Sequence, residues 1–266
     1  MKFTGNLRAL WEYRNFIFAS VRREFEARYY VSLLGSLWAV LNPLAQIVVY
    51  TVILAGVMRA KLPGVDSIFG YSIYLTAGII TWMMFMEIVS RTTGTFVEHA
   101  NLLKKLSFPR ICLPAVVTLS AIINFLIIFA LFLVFLLISN NSPGWEILGI
   151  IPVVIVQIVF ALGLGITLGV ANVFFRDVAQ GVAIILQFWF WLTPIVYPLS
   201  IIPDKVRPWI MHNPMTPITS AYQNIFVFHL WPDWHSLLVP ALIAIGLSAF
   251  SLQFFRHHAG EMVDEL

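Results

Sequence analysis

Charge is what this sequence has least of. Only 11% of its 266 residues are Asp, Glu, Lys or Arg, while 60% are hydrophobic and the mean hydropathy is +0.88. A soluble domain is roughly 25% charged. The polar surface here is too small to cover a water-soluble globule, which implies an integral membrane protein built from helices. Cysteine is nearly absent: the single Cys112 excludes an internal disulfide and a cysteine-rich metal site. The six histidines, including the pair His257-His258, lack metal-ligand spacing and read as polar surface or interface residues. Catalytic signatures are missing too. There is no G-x-x-x-x-G-K-[ST] loop to cradle nucleotide phosphates, no G-x-S-x-G and no H-E-x-x-H. The glycine-rich "GLGITLG", Gly163 to Gly169, contains no lysine and sits inside an apolar run, where Gly165 and Gly169 suit close helix packing.

What is present is long uncharged sequence. Six runs are long enough to span about 30 Å of hydrocarbon: Leu34–Val57, Phe69–Val89, Cys112–Ile138, Ile147–Phe174, Val178–Tyr197 and Leu237–Phe255. Asn42-Pro43 predicts a kink in the first. A seventh uncharged stretch, Trp209 to Trp231, holds two prolines, two histidines, two asparagines and a glutamine. That polarity argues against a lipid-facing span and predicts a re-entrant helical hairpin on the periplasmic side. The first thirty residues mix six basic residues with Glu12, Glu24 and Glu26. They read as an amphipathic interfacial helix, roughly Leu7 to Arg28, rather than a signal peptide. The expected fold is therefore all-α and integral to the membrane. A single domain over residues 1–266 has an amphipathic lead-in (1–33), a six-span bundle (34–255) and a tail (256–266).

The few charges fix orientation. With both termini in the cytoplasm, twelve basic residues fall inside. Four fall outside: Arg59, Lys61, Lys205 and Arg207. The densest basic segment, "HANLLKKLSFPRICLP" (His99 to Pro114), then lies in the cytoplasmic loop between spans two and three. By charge alone it is an ordinary positive-inside loop. "EHANLLKK" can also form a short exposed helix, with "SFPR" turning the chain back, and such an element can dock a soluble partner. Glu87 and Arg91 form the one carboxylate–base pair near a span, spaced i,i+4 to pair on one helix face.

Four segments carry a family resemblance. They are "ARYYVSLLGSLWAVLNPL" (Ala27 to Leu44), "NLLKKLSFPRICLP" (Asn101 to Pro114), "NVFFRDV" with "FWFWLTPIVYP" (Asn172–Val178, Phe188–Pro198), and "NPMTPI" (Asn213–Ile218). In this order, and with this topology, the chain resembles the permease subunits of ABC-2 exporters of bacterial polysaccharides, most closely those handling O-antigen. The resemblance implies a homodimer of permeases in the bacterial inner membrane, served by two copies of a separate ABC ATPase. It implies a polysaccharide substrate on an undecaprenyl-diphosphate lipid, in contact with membrane lipid and without nucleic acid. No cofactor is expected on this chain, since ATP and Mg would sit on the partner, and the chain itself is not expected to be an enzyme. Capsule and teichoic acid exporters share the scaffold, and an ABC-2 drug-efflux permease is a further alternative. A secondary transporter fits less well, because no ionisable group falls mid-span. A membrane glycosyltransferase fits poorly with basic cytoplasmic loops.

The resemblance also assigns residues. Asn101, Leu102, Leu103, Lys104, Lys105, Leu106, Phe108, Pro109 and Arg110 would form the ATPase-coupling element, with the leucines as anchors and the lysines at the rim. Arg22, Arg23 and Arg28 would form a cytoplasmic gate for the lipid diphosphate, because a guanidinium binds phosphate oxygens bidentately. Trp38, Phe188, Trp189, Phe190 and Trp191 would line a channel in which a sugar chain slides past aromatic faces. Interfacial anchoring is the simpler role for any one of these aromatics.

Overall fold

In the computed structural model the chain is helical. The described residues are 10–29, 69–105 and 109–265, with isolated positions between 41 and 65, and no strand occurs among them. In chain order the helices are α1 (Arg14–Tyr29), α2 (Gly70–Glu98), α3 (Ala100–Lys105), α4 (Cys112–Ile138), α5 (Ile150–Phe174), α6 (Asp177–Trp191), α7 (Arg207–Met211), α8 (Met215–Gln223), α9 (Trp234–His258) and α10 (Glu261–Glu265). Four segments are long and apolar enough to cross a membrane: Gly70–Glu98, Cys112–Ile138, Trp145–Phe174 and Trp234–His258. They coincide with the second, third, fourth and sixth expected spans. The first, Leu34–Val57, lies outside the described residues except for isolated positions, and Trp38 with it.

The fifth differs from expectation. The sequence predicts one span over Val178–Tyr197, but α6 stops at Trp191, after 15 residues or about 22 Å. The cause is Pro194, which has no N–H to continue the ladder and disfavours helical backbone at Thr193. The last turn tightens instead, with Thr193 N–H donating to the Phe190 carbonyl at 3.2 Å.

Helix α2 is the hub. Its most apolar window is 78% buried, against 22% in α9, and α4, α5, α6 and α8 all pack on it. Two features let α5 approach closely. A Cβ on Gly165 would lie 2.8 Å from Thr92 Cβ, and one on Gly169 would lie 2.8 Å from the Thr92 carbonyl oxygen, so the expected glycine packing pair faces α2. Buried amides then join the helices where water cannot. Gln157 on α5 donates to the Thr81 carbonyl at 2.7 Å and accepts from the Tyr222 hydroxyl at 3.0 Å. Asn172 donates to the Thr93 carbonyl at 3.2 Å and accepts from the Ala179 N–H at 3.0 Å, tying α5 to the start of α6.

At one end of α2, α8 and the π-helical turn Asn224–Phe228 fill the core. Met215, Ile218, Tyr222, Ile225 and Phe226 are all among the most deeply buried side chains. His229 ends this turn in the left-handed region, φ 54°. At the other end a second apolar cluster forms from Phe96, Leu103, Ile111, Leu113, Val170, Phe255 and Met262.

Candidate functional site

The expected coupling segment and gate helix meet at the second cluster's end of α2. Helix α1 turns one face inward: Tyr13, just before it, is half-buried, Ile17 and Val21 are buried, and Glu24 follows at helical spacing. It packs on α4. Glu24 becomes the centre of a polar network in mostly apolar surroundings. One of its carboxylate oxygens accepts from Arg91 Nη2 and the other from the Ser120 hydroxyl at 2.9 Å. Arg91 Nη1 donates to Glu87 at 3.1 Å, and the remaining Glu87 oxygen accepts from the Asn124 amide at 2.8 Å. One guanidinium thus bridges two carboxylates and fastens α1 to α2 and α4. The side chains of Arg91, Glu24 and Glu87 are only 29%, 26% and 16% exposed, so water screens them partially.

The Glu87–Arg91 pairing was legible in the spacing. Glu24, Ser120 and Asn124 were missed, yet each left a signal. Glu24 continues the inward stripe of α1, and Ser120 and Asn124 stand i,i+4 in an uncharged span.

Beside this network lies a cavity of about 500 Å³. Arg23, Glu24, Arg91, Glu98, His99 and Leu102 line it. Of the three expected gate arginines, Arg23 faces this cavity, and its Nε contacts the Ala19 carbonyl at 3.4 Å. Arg22 points elsewhere and pairs with Glu26 at 2.7 Å; that hydrogen bond and charge raise its pKa. The Arg28 side chain lies outside the described residues. Among the described residues lining the cavity, Arg91 is held by two carboxylates and Arg23 is not paired with one.

Residues Ala100–Lys105 do form a short helix, α3. Its faces differ from expectation. Leu103 is 7% exposed and belongs to the chain's own cluster with Phe96, Phe255 and Met262, which corrects its role as a partner-facing anchor. Leu102 turns toward the cavity. Asn101 and Lys104 are exposed, and Pro109 and Arg110 are half-buried. Leu106 and Phe108, and the side chain of Lys105, lie outside the described residues. Met262 was missed by the sequence reading. The terminal acidic segment forms α10, which packs on α3 and buries Met262 completely.

The aromatic cluster on α6 divides. Trp189 packs edge-on against Trp82, Phe85 and Phe160, and its indole N–H donates to Asn213 at 2.8 Å. Phe190 packs on Trp82. Both are half-buried and pack against the core of this chain. Phe188 and Trp191 are 67% and 59% exposed and share an outward face with Gln180, Ile184 and Gln187.

Long apolar helices joined by buried polar contacts, with the short elbow helix α3 at one end, are the frame of an integral membrane protein. The profile of the ABC-2 type transporter family matches residues 15–227, and the chain belongs to that family. Its relatives include the O-antigen export system permease protein RfbA of Myxococcus xanthus, 32% identical over 262 residues that cover 98% of each chain. A protein of the same name from Klebsiella pneumoniae is 29% identical, covering 88% of this chain and 90% of its own. The polysialic acid transport protein KpsM of Escherichia coli is 24% identical over 88% of this chain and 84% of its own.

Proposed function

We propose that this chain is the permease through which an ABC transporter exports O-antigen polysaccharide, carried on undecaprenyl diphosphate, across the bacterial inner membrane. The observation that carries this reading is the similarity to O-antigen export permeases, which runs over 98% of the chain. ATP and Mg would be bound by two copies of a separate ATPase, and the permease would act as a homodimer of six-span subunits with both termini cytoplasmic. In that topology α8 and the π turn form the re-entrant hairpin on the periplasmic side.

Three surfaces support the reading. Arg23, facing the cavity under α1, meets the lipid diphosphate first. To engage Arg91 as well, the diphosphate has to displace Glu24, so binding loosens the link between α1 and α2. The exposed face of α3, with Asn101 and Lys104, meets the ATPase. Phe188 and Trp191 look toward the second permease, and the glutamines beside them give that face a polar character unsuited to lipid.

A deletion strain tests the function. Surface O-antigen is expected to vanish and lipid-linked polymer to accumulate in the cytoplasm, both reversed by the wild-type gene. Normal surface polymer in the deletion strain contradicts the reading. Loss of a capsule with intact O-antigen favours the second reading, an exporter of capsular polymer, which has the weaker similarity to polysialic acid transport proteins behind it.

A further inference from the structure

At the opposite end of α2 from the elbow is a second cavity, of about 390 Å³. That is within the roughly 300–1,000 Å³ usual for small-ligand pockets. It lies between the start of α2, the loop after α6, α8 with its π turn, and the start of α9. Its walls combine two kinds of surface. Tyr74, Phe228 and Leu199 supply apolar faces, and Ser200, Ser220 and Asn224 supply neutral polar groups.

These polar groups stand out because their neighbours are engaged. Gln223 donates to the Pro194 carbonyl at 3.0 Å, the Thr216 hydroxyl donates to Ile210 at 2.7 Å, and the Tyr74 hydroxyl reaches the Pro194 and Tyr197 carbonyls. The side chains of Ser200, Ser220 and Asn224 have no partner among the described residues. Ser220 and Asn224 are half-buried and Ser200 is exposed, so all three turn polar atoms that no other side chain uses into the cleft. The charge in the pocket narrows its chemistry. No Lys, Arg or His is among the described residues lining it, and one carboxylate, Asp233, is. The Ser236 hydroxyl and the Ser236 and His235 N–H groups hold that carboxyl below its usual pKa, so it is ionised and repels anions. An asparagine amide both donates and accepts, which matches a pair of neighbouring hydroxyls.

We infer that this cavity is a binding site for an uncharged polyhydroxylated unit, a sugar residue of the glycan on the non-cytoplasmic side, with Asn224, Ser220 and Ser200 as its hydrogen-bonding groups. The inference rests on the proposed export function and names a place within one subunit where the polymer is held. A glycerol-bearing lipid headgroup offers similar hydroxyls but brings a phosphate that Asp233 disfavours.

The test uses the intact permease–ATPase complex in nanodiscs and saturation-transfer NMR. The probes are oligosaccharides released from the producing strain's own O-antigen, and sn-glycerol 3-phosphate as the headgroup surrogate. Sugar ring protons are expected to receive saturation in the wild type. The Ser220→Ala/Asn224→Ala double variant is expected to bind about tenfold more weakly, as the loss of two hydrogen bonds implies. Ser200→Ala lies in an exposed turn, does not threaten folding, and is expected to weaken binding about threefold. The inference is overturned by no saturation in the wild type. It is also overturned by equal saturation in the wild type and Ser200→Ala, or by transfer to sn-glycerol 3-phosphate alone. In each of those cases the deletion-strain phenotype still decides the export reading separately.

Discussion

The two ends of α2 are held together by different chemistry. Toward the elbow, Arg91 bridges Glu24 and Glu87, and three helices depend on ionised groups that are partly wet. Toward the far end, neutral groups join the helices instead. Tyr71 donates to Val196, Trp189 to Asn213 and Gln223 to Pro194, beside aromatic rings packed edge-on. Ion pairs exchange partners with an incoming anion more readily than neutral hydrogen bonds do. If the chain rearranges when an anion binds, this contrast predicts the movement beside α3 and not around α8.

Substitutions at the elbow end should show the largest effects. Leu103→Asp puts a charge into the cluster shared with Phe96 and Met262 and is expected to cost about 3 kcal/mol or more. The yield of folded permease, read by fluorescence-detected size exclusion, should collapse even without the ATPase. A normal yield would return Leu103 to a partner-facing role. Arg91→Leu leaves Glu24 and Glu87 without their shared cation. A buried bridge broken this way costs about 3–5 kcal/mol, and partial exposure reduces that to about 2. Thermal unfolding should show the loss, and proteolysis at Arg22 and Arg23 should speed up as α1 detaches. Raising salt should narrow the difference between wild type and Arg91→Leu.

Smaller effects belong to the hub and the far end. Gly169→Val presses a side chain onto the Thr92 carbonyl and the Phe96 ring, and overpacking of this kind costs about 1–2 kcal/mol. At the far end, Trp189→Phe removes one hydrogen bond to Asn213, worth about 1 kcal/mol, with no dependence on salt. Trp191→Phe, on the exposed face, should leave thermal stability within about 0.5 kcal/mol of wild type. If the Trp189 and Arg91 variants respond alike to salt, the contrast between the ends is lost.

Hydrophobic run length made four of the helices legible, because a span must satisfy its backbone internally and so leaves an uninterrupted apolar record. The Gly165/Gly169 approach and the Glu87–Arg91 pair were legible for a similar reason: helical spacing alone puts them on one face. Where the reading failed, the deciding partner was distant in sequence. Leu103 looks like any exposed leucine of a basic loop until Met262, some 160 residues later, covers it. Trp189 is indistinguishable from Trp191 by composition, and only the rotation of α6 against Trp82 and Phe160 separates them. Pro194 could have warned that the fifth span ends early, since a proline closes the helix before it.

The central claim, that this subunit conducts lipid-linked O-antigen under the power of a separate ATPase, is most directly tested in reconstituted vesicles. Permease and ATPase would be incorporated with undecaprenyl-diphosphate-linked polymer, with the ATPase facing outward. Transfer is scored as polymer protected from an added glycan-degrading enzyme. The account predicts protection that grows with ATP and disappears in vesicles lacking either subunit. Protection that is independent of ATP, or none with both subunits present and ATP being hydrolysed, would contradict it.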